Sequence, residues 1–134
     1  MSKLHVIKLE KGQDVKEGLK QYMMDKDWKG AVIVTAAGSL RGVTLSNPIS
    51  DTPPSVLLPI TVDVPCEIMS FTGELIRKDD TPKSLSHFVQ DDPCNYIVHI
   101  HASISHGSGV VNGGGLRAAT VHRALNIYVL ELEE

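Results

Sequence analysis

Val98-His99-Ile100-His101-Ala102-Ser103 alternates strictly between apolar and polar residues. Successive side chains on a strand point to opposite faces, so the spacing predicts a strand from Tyr96 to Ser105. Val98, Ile100, Ala102 and Ile104 would share its apolar face. His99, His101, Ser103 and Ser105 would share the other. Downstream, Val110-Val111 opens a further strand just before a glycine run. The end of the chain, Leu125 to Leu132, is apolar on both faces. A terminal strand of that kind must be central in its sheet or pack against another chain. Upstream, Cys66 to Arg77 reads as a long strand with Gly73 as a candidate bulge.

The same reading extends to the N-terminal half. Leu4 to Leu9 alternates as a strand and Gly12 turns the chain. Asp14 is a good N-cap, and Glu17 stands three residues on, much as in a capping box. Val15, Leu19, Tyr22 and Met23 then form one apolar helical stripe that should end near Asp27, before Gly30. No other segment has that period. Ala31 to Ala37 is small and uncharged, which predicts a strand buried on both faces. Gly38 and Gly42 bracket an expected turn before a strand at Val43 to Leu45. Asn47 to Pro59 reads as an exposed loop, and Asp79 to Asp92 as a polar loop with a short helical turn near Leu85 to Val89. One helix among many strands predicts an α+β fold with a mostly antiparallel sheet.

Composition fits one domain spanning residues 1–134. The chain is 42% hydrophobic and 22% charged, close to globular averages. Its net charge of −3 excludes a whole-chain basic footprint for nucleic acid. Seven of nine lysines lie in the first 29 residues, interleaved with five acids, which reads as a solvated helix surface. No apolar run reaches membrane-spanning length, so no membrane association is expected. Cys66 and Cys94 form no CxxC pair, and the start lacks an apolar signal core. The expected setting is reducing and cytoplasmic.

Several residue groups are candidates for chemistry. Two histidines two apart on a strand can hold one divalent metal such as zinc, with His106, His122, Cys66 or Cys94 as further donors. The alternative is a pair of hydrogen-bonded imidazoles on a polar face. Glu67, beside an apolar strand, calls for a partner or for water. Gly113-Gly114-Gly115 permits an anion-binding nest beside Arg117, or else a tight turn or close backbone contact. The dinucleotide and phosphate-loop fingerprints are absent. So is the nucleophile elbow of the hydrolases.

Taken together, five segments resemble the plants and prokaryotes conserved (PPC) domain family. They are Leu4–Leu9, Gly30–Leu40 with Val43–Leu45, Pro65–Gly73, His99–Ser103 and Val110–Gly115. The resemblance implies one helix on an antiparallel sheet, assembled as a homotrimer. It also implies a pocket lined by Glu67, Ser103, Gly113, Gly114 and Gly115. Prokaryotic-type members carry a His-x-His pair and a third His after Gly-Gly. His99 and His101 match the pair, while Gly115 stands at the third position. The family's DNA-binding label derives largely from plant relatives with an Arg-Gly-Arg AT-hook, and this chain has none. The first expectation is therefore a homotrimeric oligomerisation module that binds a protein partner or small ligand. A metal-dependent or small-molecule enzyme at His99, His101 and Glu67 is the second. Direct DNA binding is the third.

Overall fold

The computed structural model describes residues 3–52, 56–80 and 94–133. Six strands and one helix follow in order: β1 (Leu4–Glu10), α1 (Val15–Lys26), β2 (Gly30–Pro48), β3 (Leu57–Val62), β4 (Cys66–Arg77), β5 (Tyr96–His106) and β6 (Val110–Leu132). A single 3-10 turn at Lys78–Asp80 follows β4. Among the described residues every strand pairing is antiparallel. The sheet order is β1-β6-β5-β4-β2-β3, and β6 also pairs with β2. That extra pairing closes a circuit of β2, β4, β5 and β6, with β1 and β3 as flanking strands.

The expected α+β class therefore holds. The helix begins and ends where its capping residues place it. Asp14 is extended, and its carboxylate accepts the Glu17 backbone N–H at 2.9 Å. Asp27 closes the other end in the left-handed region, with φ of 52°. Val15, Leu19 and Met23 are fully buried against the inner face of the sheet. Each contributes about 1.5–3 kcal/mol of apolar transfer energy. The Tyr96 hydroxyl and Arg77 Nε both donate to the Trp28 carbonyl, which ties the end of the helix to β4 and β5.

Several sequence expectations need correction. Gly38 and Gly42 do not bracket a turn. They take positive φ inside one 19-residue strand, at register shifts that let it bend. Ala31 to Ala37 is not buried on both faces: Ala31, Ile33 and Ala36 point to the core while Val32 and Val34 are exposed. The expected loop over Asn47 to Pro59 is partly a hairpin, because Pro48 pairs with Leu57. In β4 the bulge falls between Ile68 and Ser70, not at Gly73. The glycine run is neither turn nor nest; the close backbone contact holds instead, since a Cβ at Gly114 would lie 2.9 Å from the Ser46 carbonyl oxygen. β6 passes through the run as strand, so its N–H groups alternate in direction instead of converging. The helical turn expected near Leu85 to Val89 lies outside the described residues.

The C-terminal ribbon is central within its own chain. Its Leu125–Leu130 stretch is flanked by β1 on one edge and β2 on the other. Leu125, Ile127 and Val129 are fully buried in the core. The circuit also explains Gly73. A methyl group there would overlap the His99 carbonyl oxygen and come within 2.9 Å of Ile100 Cα. The β4–β5 contact is thus too close for any side chain. Gly73→Ala is expected to destabilise the fold by at least about 2 kcal/mol. Urea unfolding followed by circular dichroism measures this, and an unchanged midpoint would contradict the close packing.

Candidate functional site

The circuit leaves a cleft where β6 departs from β5. The two strands pair only from His101↔Gly115 to His106↔Val110. Beyond Gly115, β6 continues along β2, where Leu45 pairs with Leu116 and Ser46 with Gly115. The gap between β5 and this seam is a cavity of about 390 Å³. Val98, Ile100 and Ala102 line it on one side, and Ser46, Gly115 and Arg117 on the other.

Alternation on β5 places His99 and His101 together, with ring centroids 5.2 Å apart and planes at 84°. The neighbouring strand supplies their partners through register. Glu74 lies opposite His99, and Thr72 opposite His101. His99 Nδ1 sits 3.3 Å from Glu74 Oε1 and donates to it. Ser103 shares a 2.6 Å hydrogen bond with Ser70. Gly113, Gly114 and Gly115 pair with Ser103, Ala102 and His101. The Gly113 carbonyl accepts from Asn47 Nδ2 at 2.8 Å. Arg117 Nε donates to Ser46 Oγ at 2.6 Å, which orients the guanidinium on the cleft wall.

Of the expected site residues, His99, His101, Gly114 and Gly115 line the cleft, Ser103 and Gly113 pair with each other just outside it, and Glu67 is not brought to it. It pairs with Ser105, four residues along β5 from His101, or roughly 13 Å at strand rise. It borders a separate depression with His106, His122 and Arg123. His106 is held there by Asn112 at 2.9 Å. Cys66 borders the same depression, and burial, then the Glu67 charge, push its thiol above the ordinary value. Ser46, Asn47, Ser70, Thr72 and Glu74 are cleft or near-cleft residues that the sequence reading missed. Only register brings them beside the imidazoles, and nothing local in their own segments marks them.

The donor set does not fit a closed metal site. Among the described residues, no three His, Cys, Asp or Glu side chains are grouped to hold an ion. His99 and His101 provide two imidazoles, and Glu74 is engaged with one of them. Gly115 leaves room for a third ligand. A Cβ there would meet nothing closer than Ser46 O at 3.5 Å and His101 Cδ2 at 4.0 Å.

An α+β module with a paired-imidazole cleft at a strand divergence is the class that this fold and site define. The chain belongs to the Plants and Prokaryotes Conserved (PCC) domain family, whose match covers residues 1–133. Solved structures share the fold. A plant- and prokaryote-conserved (PPC) protein from Pyrococcus horikoshii is 19% identical, with a TM-score of 0.76 over 100% of this chain and 83% of that one. A metal-containing protein from Archaeoglobus fulgidus is 22% identical, with a TM-score of 0.73 over 97% of this chain and 79% of that one. A protein from Ralstonia eutropha JMP134 named "putative DNA-binding protein" is 19% identical, with a TM-score of 0.72 over 96% of this chain and 78% of that one. No curated protein matches. Among the described residues, no helix is long and apolar enough to cross a membrane.

The room at Gly115 makes the metal question testable. Gly115→His would set a third imidazole beside His101 and is expected to raise zinc binding to about one ion per chain. The unsubstituted chain, purified without an affinity tag, is expected to retain less than about a tenth of an equivalent. Elemental analysis after dialysis reads both. Equal zinc in the two proteins would contradict the missing-ligand account.

Proposed function

We propose that this protein is a homotrimeric oligomerisation module that binds a protein partner or small ligand at the His99–His101 cleft. The observation that carries this reading is an apolar outer sheet face continuous with the cleft. Val6 pairs with Tyr128 and Leu4 with Leu130, so these four side chains share the face. Val32 pairs with Leu130, and on its other edge with Glu74, which pairs in turn with His99. Leu4, Val6, Val32 and Val34 are 50%, 41%, 39% and 45% exposed, enough for the face to need cover. Copies of the same chain would bury it and set the imidazole cleft at the rim of the contact. Homotrimerisation is the assembly that the family resemblance implies. The reading includes the reducing, cytoplasmic setting expected from the sequence.

Two solved relatives carry DNA-binding names, which raises direct DNA contact as a second reading. The net charge of −3 argues against it for the isolated chain. Duplex DNA is expected to show no mobility shift at about 50 mM salt. A shift that weakens as salt rises would favour the second reading.

Assembly has its own test. Sedimentation velocity at micromolar concentration is expected to give three times the chain mass. Val32→Glu with Leu130→Glu places two carboxylates in the buried contact and is expected to weaken association by about 100-fold or more. A monomeric wild-type chain at that concentration contradicts the proposal, as does a double variant that assembles unchanged.

A further inference from the structure

We infer that the depression beside Glu67, away from the imidazole cleft, binds a small amino-acid zwitterion, its ammonium at Glu67 and its carboxylate at Arg123. This goes beyond the function proposed above and rests on different residues.

An irregularity of β6 creates the site. Gly38 of β2 pairs with Leu125, and Leu40 with Val121. Between those pairs β2 has one residue, Ser39, while β6 has three, His122, Arg123 and Ala124. The surplus bulges, and bulges re-aim the side chains they carry. Two residues of β2 hold this one. Ser39, only 6% exposed, accepts the Arg123 backbone N–H through Oγ at 3.2 Å. Gly38 has a φ of 146°. A Cβ there would overlap the Ala124 carbonyl oxygen and lie 2.9 Å from Leu125 Cα. The bulge thus has a fitted seat, and it delivers His122 and Arg123 to a depression of about 320 Å³.

The opposite wall comes from β4 and β5. Ser39 pairs with Glu67, and Glu67 with Ser105, so the three share one face. Glu67 and Arg123 stand on the two strands that flank β2, roughly 10 Å apart at the backbone. Among the described residues no ion pair joins them, and neither forms one elsewhere. Two opposite charges therefore line one depression unjoined. A ligand that satisfies both carries a cation and an anion on one short skeleton. A guanidinium donates to a carboxylate in a matching fork, and a carboxylate accepts from an ammonium. The remaining groups fit the same ligand. His106 Nε2 donates to Asn112 Oδ1 at 2.9 Å, which leaves Nδ1 of the neutral ring as an acceptor. Burial, and then the Glu67 charge, push the Cys66 thiol up, so it stays protonated. Glu67 is then the single anion among the described residues that line the depression.

The experiment titrates the full-length protein with L-alanine, 4-aminobutanoate, propionate and isopropylammonium. The His106 and His122 ring-proton signals report this site, and those of His99 and His101 report the cleft. The better zwitterion is expected to bind at least about fivefold tighter than propionate or isopropylammonium. Glu67→Gln is expected to reduce it to the affinity of propionate, and Arg123→Gln to that of isopropylammonium. Thermal melts verify that each variant is folded. A single-charge probe that binds as tightly as both zwitterions overturns the assignment. So does a zwitterion preference that survives either substitution. Shifts confined to His99 and His101 overturn this inference and leave the function proposed above in place. Shifts at His106 and His122 with the zwitterion preference support it whatever the cleft does. If no probe moves the His106 and His122 signals, the inference falls.

Discussion

The pairing of β6 with β2 is the constraint on which the rest of the structure depends. It runs from Gly30↔Leu132 to Ser46↔Gly115 and turns a sheet into a closed circuit. Closure satisfies backbone donors and acceptors that an open edge would leave to solvent or to another strand. It also dictates where irregularity must fall. Two long strands cannot stay straight around so small a core, and β2 shifts register near Val34, Ser39 and Gly42. Where β6 follows β2 away from β5, the cleft opens. The site is therefore a consequence of how the circuit closes.

The same pairing divides the side chains into two populations. Inward residues of β2, β5 and β6 meet the helix stripe of Val15, Leu19 and Met23 in one core. Outward residues make a second face with two regions. Leu4, Val6, Val32, Tyr128 and Leu130 form its apolar region, and Glu74, His99 and His101 its polar region. The two regions abut at Val32 and Glu74. β4 bridges them, since Glu74 pairs with Val32 on one side and with His99 on the other.

Much of this was legible in the sequence where the signal is local. The helix was readable because Asp14, Glu17 and a period of 3.6 agree. β4 and β5 were readable because alternation fixes which side chains share a face, and the His99–His101 pair follows from that alone. Register was not legible, because no local pattern says which residue of β4 stands opposite which residue of β5. Glu74 was missed for that reason, and Glu67 was grouped with the imidazoles on the wrong end of the strand. Glycine was misread for a related reason. Gly38 and Gly42 signal backbone freedom, yet only tertiary pairing decides whether that freedom makes a turn or a bulge. Gly73 signals an approach by a partner strand whose identity the sequence does not carry.

The account stands most directly on which surface copies of this chain cover. A crystal structure of the full-length protein answers that. The account predicts threefold packing in which Leu4, Val6, Val32 and Leu130 lie against neighbouring copies, with His99 and His101 at the edge of the contact. Those four side chains facing bulk solvent, with no companion copy against the sheet, would contradict it.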